Sequence, residues 1–548
     1  MSTKDVEKDD AEQHFNKDPP TMAVPAERSS FRSVLIVATC TMAMIVNSSN
    51  STSVSISLPT IGDDLNIPEA KLNSIVSAYP LSSGCLLVMF GRIADLYGRK
   101  RTFCAGSLWL AAFTLGCSFS KDEITLDVLR GLQGVGAAAT IPASIGILAH
   151  AFPPSRTRSI AFATFAAGAP LGGAFGLAIG GVLTQLTKQS WRSPFYLTAG
   201  VCVVALVIGL LVIDTDLPST EEDQRIDWIG VFLVTTGLVL IVFVLSEGEV
   251  APQQWKTPYI IALLIVGVIF VAAFLYWQHY LEKQLDDPSV SKSKWNPPPL
   301  MRLSLWTRAK GRVAVMMIVA FLQWCCFLGW CYWSQLYYQN YQGFTPLLTV
   351  IRLLPMTVSG IVCNMIVAAL VGHLPLVYFI ACGTALSGVA ALLFALINPN
   401  ATYWAFGFPG AILAVVGADF VFAGGTLFIA KVSLPHEQSL AGAVFQTMTQ
   451  LGTSVGVTVS TVVFDRVLRQ RSADMGVILD VNAAGAPREA QLDSYKAAEW
   501  TNFAFGMLAT LLALIFFRGV GIVGQRGKET DDQERTVINP EEKTPSRE

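Results

Sequence analysis

Fourteen runs of apolar residues, each long enough to cross a bilayer as a helix, succeed one another along this chain of 548 residues. They lie at roughly 33–57, 72–91, 103–120, 125–149, 158–185, 192–213, 227–247, 257–278, 312–338, 345–371, 374–396, 403–431, 438–465 and 498–524. In hydrocarbon every backbone polar group must be satisfied internally, which leaves helices or a closed barrel. The runs are about twice as long as a tilted strand needs and do not alternate, so they predict helices. Only 14% of residues are charged, against about 25% in a soluble domain. The chain therefore reads as an all-α polytopic membrane protein, and its net charge of −2 matters less than where the charges sit.

One run is interrupted. "VNSSNSTSVSISLP", Val46 to Pro59, places seven consecutive polar side chains, Asn47 to Ser53, inside an apolar span. On a helix Asn47, Ser51 and Ser55 share one face and Asn50, Ser53 and Ser57 another. Seven in a row cannot all line one groove. Some are expected to bond back to their own backbone or across to neighbours, and the rest to border a water-accessible path.

Arginines and lysines orient the spans. With the N-terminus inside, the loops after even-numbered spans hold Arg92, Arg99, Lys100, Arg101, Arg156, Arg158 and a cluster from Lys283 to Arg312. Most opposite loops carry one or two basic residues or none, the long loop from Arg466 to Lys496 being the exception. This bias predicts both termini in the cytosol of a multi-pass cell-membrane protein. Residues 1–30 and 525–548 are expected to be disordered tails, with no cleavable signal peptide. All ten cysteines fall inside predicted spans, which argues for small buried hydrophobes rather than a disulfide framework or metal site. There is no HExxH and no GxxxxGK[ST], so no metal, cofactor, nucleic-acid partner or enzymatic role is expected.

The most specific local signal is "GRIADLYGRKRTF", Gly91 to Phe103. Gly91 and Gly98 would turn the corners of a tight loop, with Asp95 capping the next helix or pairing with arginines such as Arg99. The ordered pattern G-x-x-x-D-x-x-G-R-K/R resembles the loop signature of the major facilitator superfamily. "LRGLQGVGAAATIPAS", Leu129 to Ser144, is similar to that superfamily's fourth-helix motif at Arg130, Gln133, Gly134 and Gly136. "GGAFGLAIGG", Gly172 to Gly181, is similar to its fifth-helix antiporter motif, with Leu177 in place of proline. Fourteen spans resemble its drug:proton antiporter branch. "LGWCYWSQLYYQNYQGFTPLLTVIRLLPM" and "EQSLAGAVFQTMTQLGTSVG" look like the fungal subgroup of aminotriazole-resistance-type exporters. The resemblance implies a major facilitator fold: an N-terminal six-helix bundle over 31–214, two inserted helices and a linker over 215–311, and a C-terminal six-helix bundle over 312–524. In the branch's first-helix motif an acid stands where this chain has Asn50, while Thr52, Leu58 and Pro59 match.

Physical chemistry singles out further residues. Gly168, Gly172, Gly176 and Gly180 recur every fourth residue and would let another backbone approach closely. Arg130 lies inside the fourth span, where a charge costs about 2.5–3.5 kcal/mol unless it meets a partner or cavity or snorkels outward. Asp419 lies near the middle of the twelfth span, a depth the sequence gives to no other carboxylate. It reads either as a proton carrier or as a structural hydrogen-bonded acid. With Asn50 not titratable, proton coupling falls to Asp419, with Arg130 its modulator across the cavity and Arg352 a second candidate partner. Asn47, Asn50, Gln323, Trp324 and Gln446 are the expected substrate contacts, with Trp330 and Gln450 close by. Gly91, Asp95, Gly98 and Arg99 form the expected conformational latch. The expected activity is proton-coupled export of a small organic compound by a monomer. Import or facilitated movement of a small polar solute such as ammonium or borate, and a non-transporting sensor, are the other readings.

Overall fold

The computed structural model describes residues 29–518, apart from 66, 68–71, 154, 217–222, 249–250, 252, 286–296, 371–372, 435–436 and 478–485. The terminal tails expected from the sequence lie largely outside the described residues. Among the described residues there are no strands and fourteen long helices: α1 (Ser30–Leu65), α2 (Leu72–Tyr97), α3 (Arg99–Cys117), α4 (Glu123–Ala151), α5 (Arg156–Leu186), α6 (Ser193–Val212), α7 (Trp228–Glu247), α8 (Pro258–Leu285), α9 (Arg312–Leu336), α10 (Pro346–Leu370), α11 (Leu376–Ala395), α12 (Tyr403–Val432), α13 (Gln438–Asp474) and α14 (Arg488–Phe516). Twelve of them are long and apolar enough to cross a membrane by length and composition; α2 and α3 are not among the twelve. α3 opens on three successive basic residues.

Local chemistry sets several helix starts. Asp122 accepts from the Thr125 amide at 2.9 Å to begin α4, and Asp227 accepts from the Gly230 amide at 2.8 Å to begin α7. Asp227 also accepts from Trp277 and Gln278 of α8, which ties the inserted pair together. α1 runs eight residues past the predicted boundary. α13 and α14 extend to Asp474 and back to Arg488, so most of the predicted long loop from Arg466 is helix. Hydropathy finds the lipid-facing core of a helix but not its polar continuation beyond the bilayer.

Packing repeats with an offset of eight helices. α1 packs on α5, α4 and α6, α2 on α4, and α3 on α4 and α6. In the second half α9 packs on α13, α12 and α14, α10 on α12, and α11 on α12 and α14. The two six-helix bundles meet where α2 lies along α13 and α5 along α10, pairings that the same offset interconverts. α7 and α8 pack on each other, and α7 reaches α2 and α13. The end of the molecule carrying Arg99, Arg158 and Arg308 is called the basic end below.

Candidate functional site

At the basic end, α2 does not turn at Gly91 as the sequence predicts. The helix continues to Tyr97, and Gly98 alone makes the corner, at φ 115°. Gly91 instead lets α2 lie against α13: a Cβ there would sit 2.7 Å from the Ala443 side chain and 3.0 Å from the Leu440 backbone. Asp95 does not cap the next helix either. Asp216 does that, accepting from the Lys100 and Arg101 amides at 2.8 and 3.1 Å, which the bare Gly98 permits. The buried Asp95 carboxylate pairs with Arg99 at 3.0 Å and accepts from the Ser439 and Leu440 amides at 3.2 and 2.8 Å. It thus caps α13, a helix of the other bundle, where the helix dipole favours negative charge. Arg158 of α5 adds a second bond between the bundles here, donating to the Ala430 carbonyl of α12 at 2.9 Å. Beside them, Arg308 forms an ion pair with Glu437 just before α13.

Within the first bundle, Arg130 is fully buried and does not snorkel. Its Nε donates to the Ile75 carbonyl at 3.2 Å and its Nη1 to Gln133 at 2.7 Å, while the guanidinium lies 4.8 Å from the Tyr79 ring centre. Gln133 passes the chain on, donating to Asn50 at 3.1 Å and Thr114 at 2.8 Å. Tyr79 donates to Asn47 at 2.7 Å. Both first-helix asparagines therefore belong to one polar network that holds Arg130 among α1, α2, α3 and α4. Buried polar groups need such partners, and Arg130 Nη2 and Asn50 Nδ2 still lack one among the described residues.

The rest of the polar run in α1 is handled in two ways. Thr52, Ser55 and Ser57 each donate to the carbonyl four residues back, and Ser57 also meets Thr184 of α5 at 2.9 Å. The glycine face of α5 lies directly against this stretch. Cβ atoms at Gly168, Gly172, Gly176 and Gly180 would fall 2.9, 2.4, 2.7 and 2.9 Å from backbone oxygens of Thr41, Ile45, Ser49 and Ser53. Small polar side chains on α1 and bare glycines on α5 make one close interface.

Asp419 lies elsewhere. It is buried on α12 where α10 and α5 converge: a Cβ on Gly360 would be 2.9 Å from both Asp419 Oδ2 and the Pro170 side chain. Asn364 of α10 donates to the Gly360 carbonyl at 2.9 Å beside this carboxyl, and Asp419 Oδ2 has no partner among the described residues. Arg130 and Asp419 occupy equivalent helices but are not brought together, because Arg130 stands two turns into α4 and Asp419 midway along α12. Nor is Arg352 a partner of Asp419. Its guanidinium stacks near Phe344, Tyr403 and Tyr338 at the end of the bundle opposite the basic end.

The other predicted contacts divide. Trp324 lies 5.9 Å from Phe422, which stacks on Phe165 of the first bundle at 6.3 Å and meets Phe445 of α13 at 6.1 Å. Gln446, next to Phe445, keeps an unpartnered Oε1, and Gln450 lies 3.3 Å from a Cβ built on Gly84 of α2. These residues sit at the seam between bundles. Gln323 and Trp330 do not: Gln323 donates to Ser387 of α11 at 2.9 Å, and Trp330 packs on Phe394, both fully buried inside the second bundle.

A second intramembrane carboxylate escapes the sequence reading. Glu499 of α14 is buried, accepts from Asn502 at 3.1 Å and faces Cys326 and Cys331 of α9. A span drawn from residue 498 puts it at the membrane edge, whereas α14 begins ten residues earlier. The signal was the small and polar face Glu499, Asn502, Gly506, Ala509, Thr510 and Ala513, all buried at helical spacing.

An arrangement of two six-helix bundles, with polar groups along their seam and a clasp at one end, matches a known family. The Major Facilitator Superfamily model aligns with residues 40–227 and 218–457. The chain belongs to this superfamily. It is 30% identical over 420 residues to a low affinity ammonium transporter of Saccharomyces cerevisiae, covering 75% of this chain and 77% of that one. It is 27% identical over 433 residues to the efflux pump terJ of Aspergillus terreus, covering 77% and 79%. Among solved structures it resembles the proton:xylose symporter XylE with a TM-score of 0.59 at 12% identity, over 92% of this chain and 100% of that one. This superfamily member is thus a multi-pass membrane transporter.

Proposed function

We propose that the protein is a proton-coupled antiporter that exports a small organic compound by alternating access. It works as a monomer in the cell membrane with the basic end in the cytosol. The observation that carries this reading is Asp419: a carboxyl buried at the seam of two bundles, with one oxygen that has no partner among the described residues. A charge there has no counter-ion among its described contacts, so the acid is neutral while the seam is shut and releases its proton when the seam is wetted. The clasp of Asp95, Arg99 and Arg158 on α12 and α13 closes the basic end. The complementary state opens it by breaking these bonds while each bundle moves as a body. Trp324, Gln446 and Asn47 offer aromatic and amide contacts to the compound. Arg130, which holds Asn47 and Asn50 through Tyr79 and Gln133, sets the position of α1 and modulates transport without meeting the proton site. Similarity to the efflux pump terJ supports the direction.

The experiment is uptake by purified protein in inverted vesicles under an imposed pH gradient. Asp419→Asn is expected to lose gradient-driven accumulation by about tenfold or more while keeping substrate counterflow, since an amide resembles the neutral acid but neither takes up nor releases a proton. Gradient-driven transport at the wild-type rate by the variant would end the proposal. A second reading, movement of ammonium, is favoured by the 30% identity to the ammonium transporter and by the amide at Asn50. Ammonium-dependent growth of a transport-deficient yeast carrying this chain separates it from the exporter.

A further inference from the structure

The second bundle holds an open chamber whose lining includes neither Asp419 nor the residues of the seam. It has a volume of about 440 Å³ and lies at the end opposite the clasp, between the π-helical extension of α9 (Tyr337–Tyr341), the start of α10, the 397–403 loop into α12 and the first residue of α14. Aromatic rings line one part of it, amides and the 397–402 backbone another, and two cations face it, Arg352 and Arg488. The Arg352 guanidinium lies 4.5, 4.8 and 5.8 Å from the ring centres of Phe344, Tyr403 and Tyr338. That of Arg488 lies 5.0 Å from Tyr341 and donates to the Tyr341 carbonyl at 3.4 Å. Among the described residues the lining contains no carboxylate, and neither arginine makes an ion pair.

Stacking on rings holds a guanidinium by its face and leaves its N–H edge directed away from them. That edge is a fork suited to a carboxylate or sulfonate. The start of α12 adds to the positive field, since Thr402 supplies no side-chain cap to its first-turn amides. The volume falls in the range of small-molecule pockets. Offset stacking on Tyr341 or Phe344 would seat a flat ring once its acid group has met the arginines.

We propose that this chamber binds a planar aromatic acid as its anion, with Arg352 and Arg488 holding the acid group and the surrounding rings holding its body. A phospholipid headgroup is the other source of an anion at this depth, so the test has an arm for it. The full-length protein is placed in phosphatidylcholine nanodiscs and titrated with naphthoate, read by saturation-transfer NMR against empty discs. Naphthoate is expected to bind about tenfold more tightly than naphthamide, its uncharged amide. Arg352→Gln and Arg488→Gln are each expected to weaken naphthoate binding by about tenfold while leaving naphthamide unchanged. Arg488→Gln alone keeps the test valid should Arg352→Gln fail to fold, because Arg488 is exposed at a helix end. Equal binding of acid and amide, or wild-type naphthoate binding by Arg488→Gln, overturns the proposal. Competitive displacement of naphthoate by phosphatidylglycerol assigns the arginines to a headgroup and overturns the aromatic-acid assignment.

Discussion

Asp64 ends α1 beyond the apolar part of that helix, and two donors from the start of the α6 region reach it: Trp191 Nε1 at 3.0 Å and Arg192 Nη1 at 2.7 Å. The indole bond first, and the guanidinium next, hold its carboxyl below the ordinary value of 3.8. A lowered value in the folded state means that the pair stabilises above the unfolded value and that this contribution disappears as pH falls through the folded one. Thermal unfolding of wild type and Asp64→Asn should therefore differ near neutral pH and converge as the pH falls through the folded-state value. A gap that persists in acid would place the effect in packing rather than charge. Glu499 teaches a different lesson at this scale. Its carboxyl was visible in the sequence, but burial depends on where α14 begins, and polar residues outside the lipid hide that start from any hydropathy window.

The α1–α5 pair shows how one helix explains another. The serines and asparagines of α1 looked out of place alone, and the glycines of α5 looked like a generic packing face. Together they form an interface in which bare glycines meet backbone oxygens. Gly176→Ala should cost about 1–3 kcal/mol of overpacking, because its Cβ would press on Thr52 and the Ser49 carbonyl. Gly173→Ala, with open space around it, should be nearly neutral. The readout is the melting temperature of purified protein; equal losses at both positions would remove the interface argument. The periodicity of the glycines was legible in the sequence, but which helix they receive was not, since four-residue spacing names a face and not its partner.

At the scale of the molecule the clasp joins the two bundles at the basic end. Gly91 and Asp95 act there together, one by letting α2 touch α13 and the other by capping it. Gly91→Ala should oppose closure at the basic end without loosening either bundle. Hydrogen exchange at the Ser439 and Leu440 amides should then speed up by about tenfold or more, with bundle-core amides unchanged. Unaltered exchange would deny Gly91 a role in closure. Lipid as solvent permits few architectures, so length and hydropathy alone settled that the chain is a stack of spanning helices, and the Gly91–Arg101 signature pointed to its family. Which polar groups meet was decided only by tertiary structure. Arg130 and Asp419 sit on equivalent helices yet at different depths, Gln323 turns into its own bundle, and Asp95 reaches across 344 positions to a helix start. A helix repeats every 3.6 residues, so sequence fixes a side chain's angle around its own axis, but only packing fixes what stands opposite.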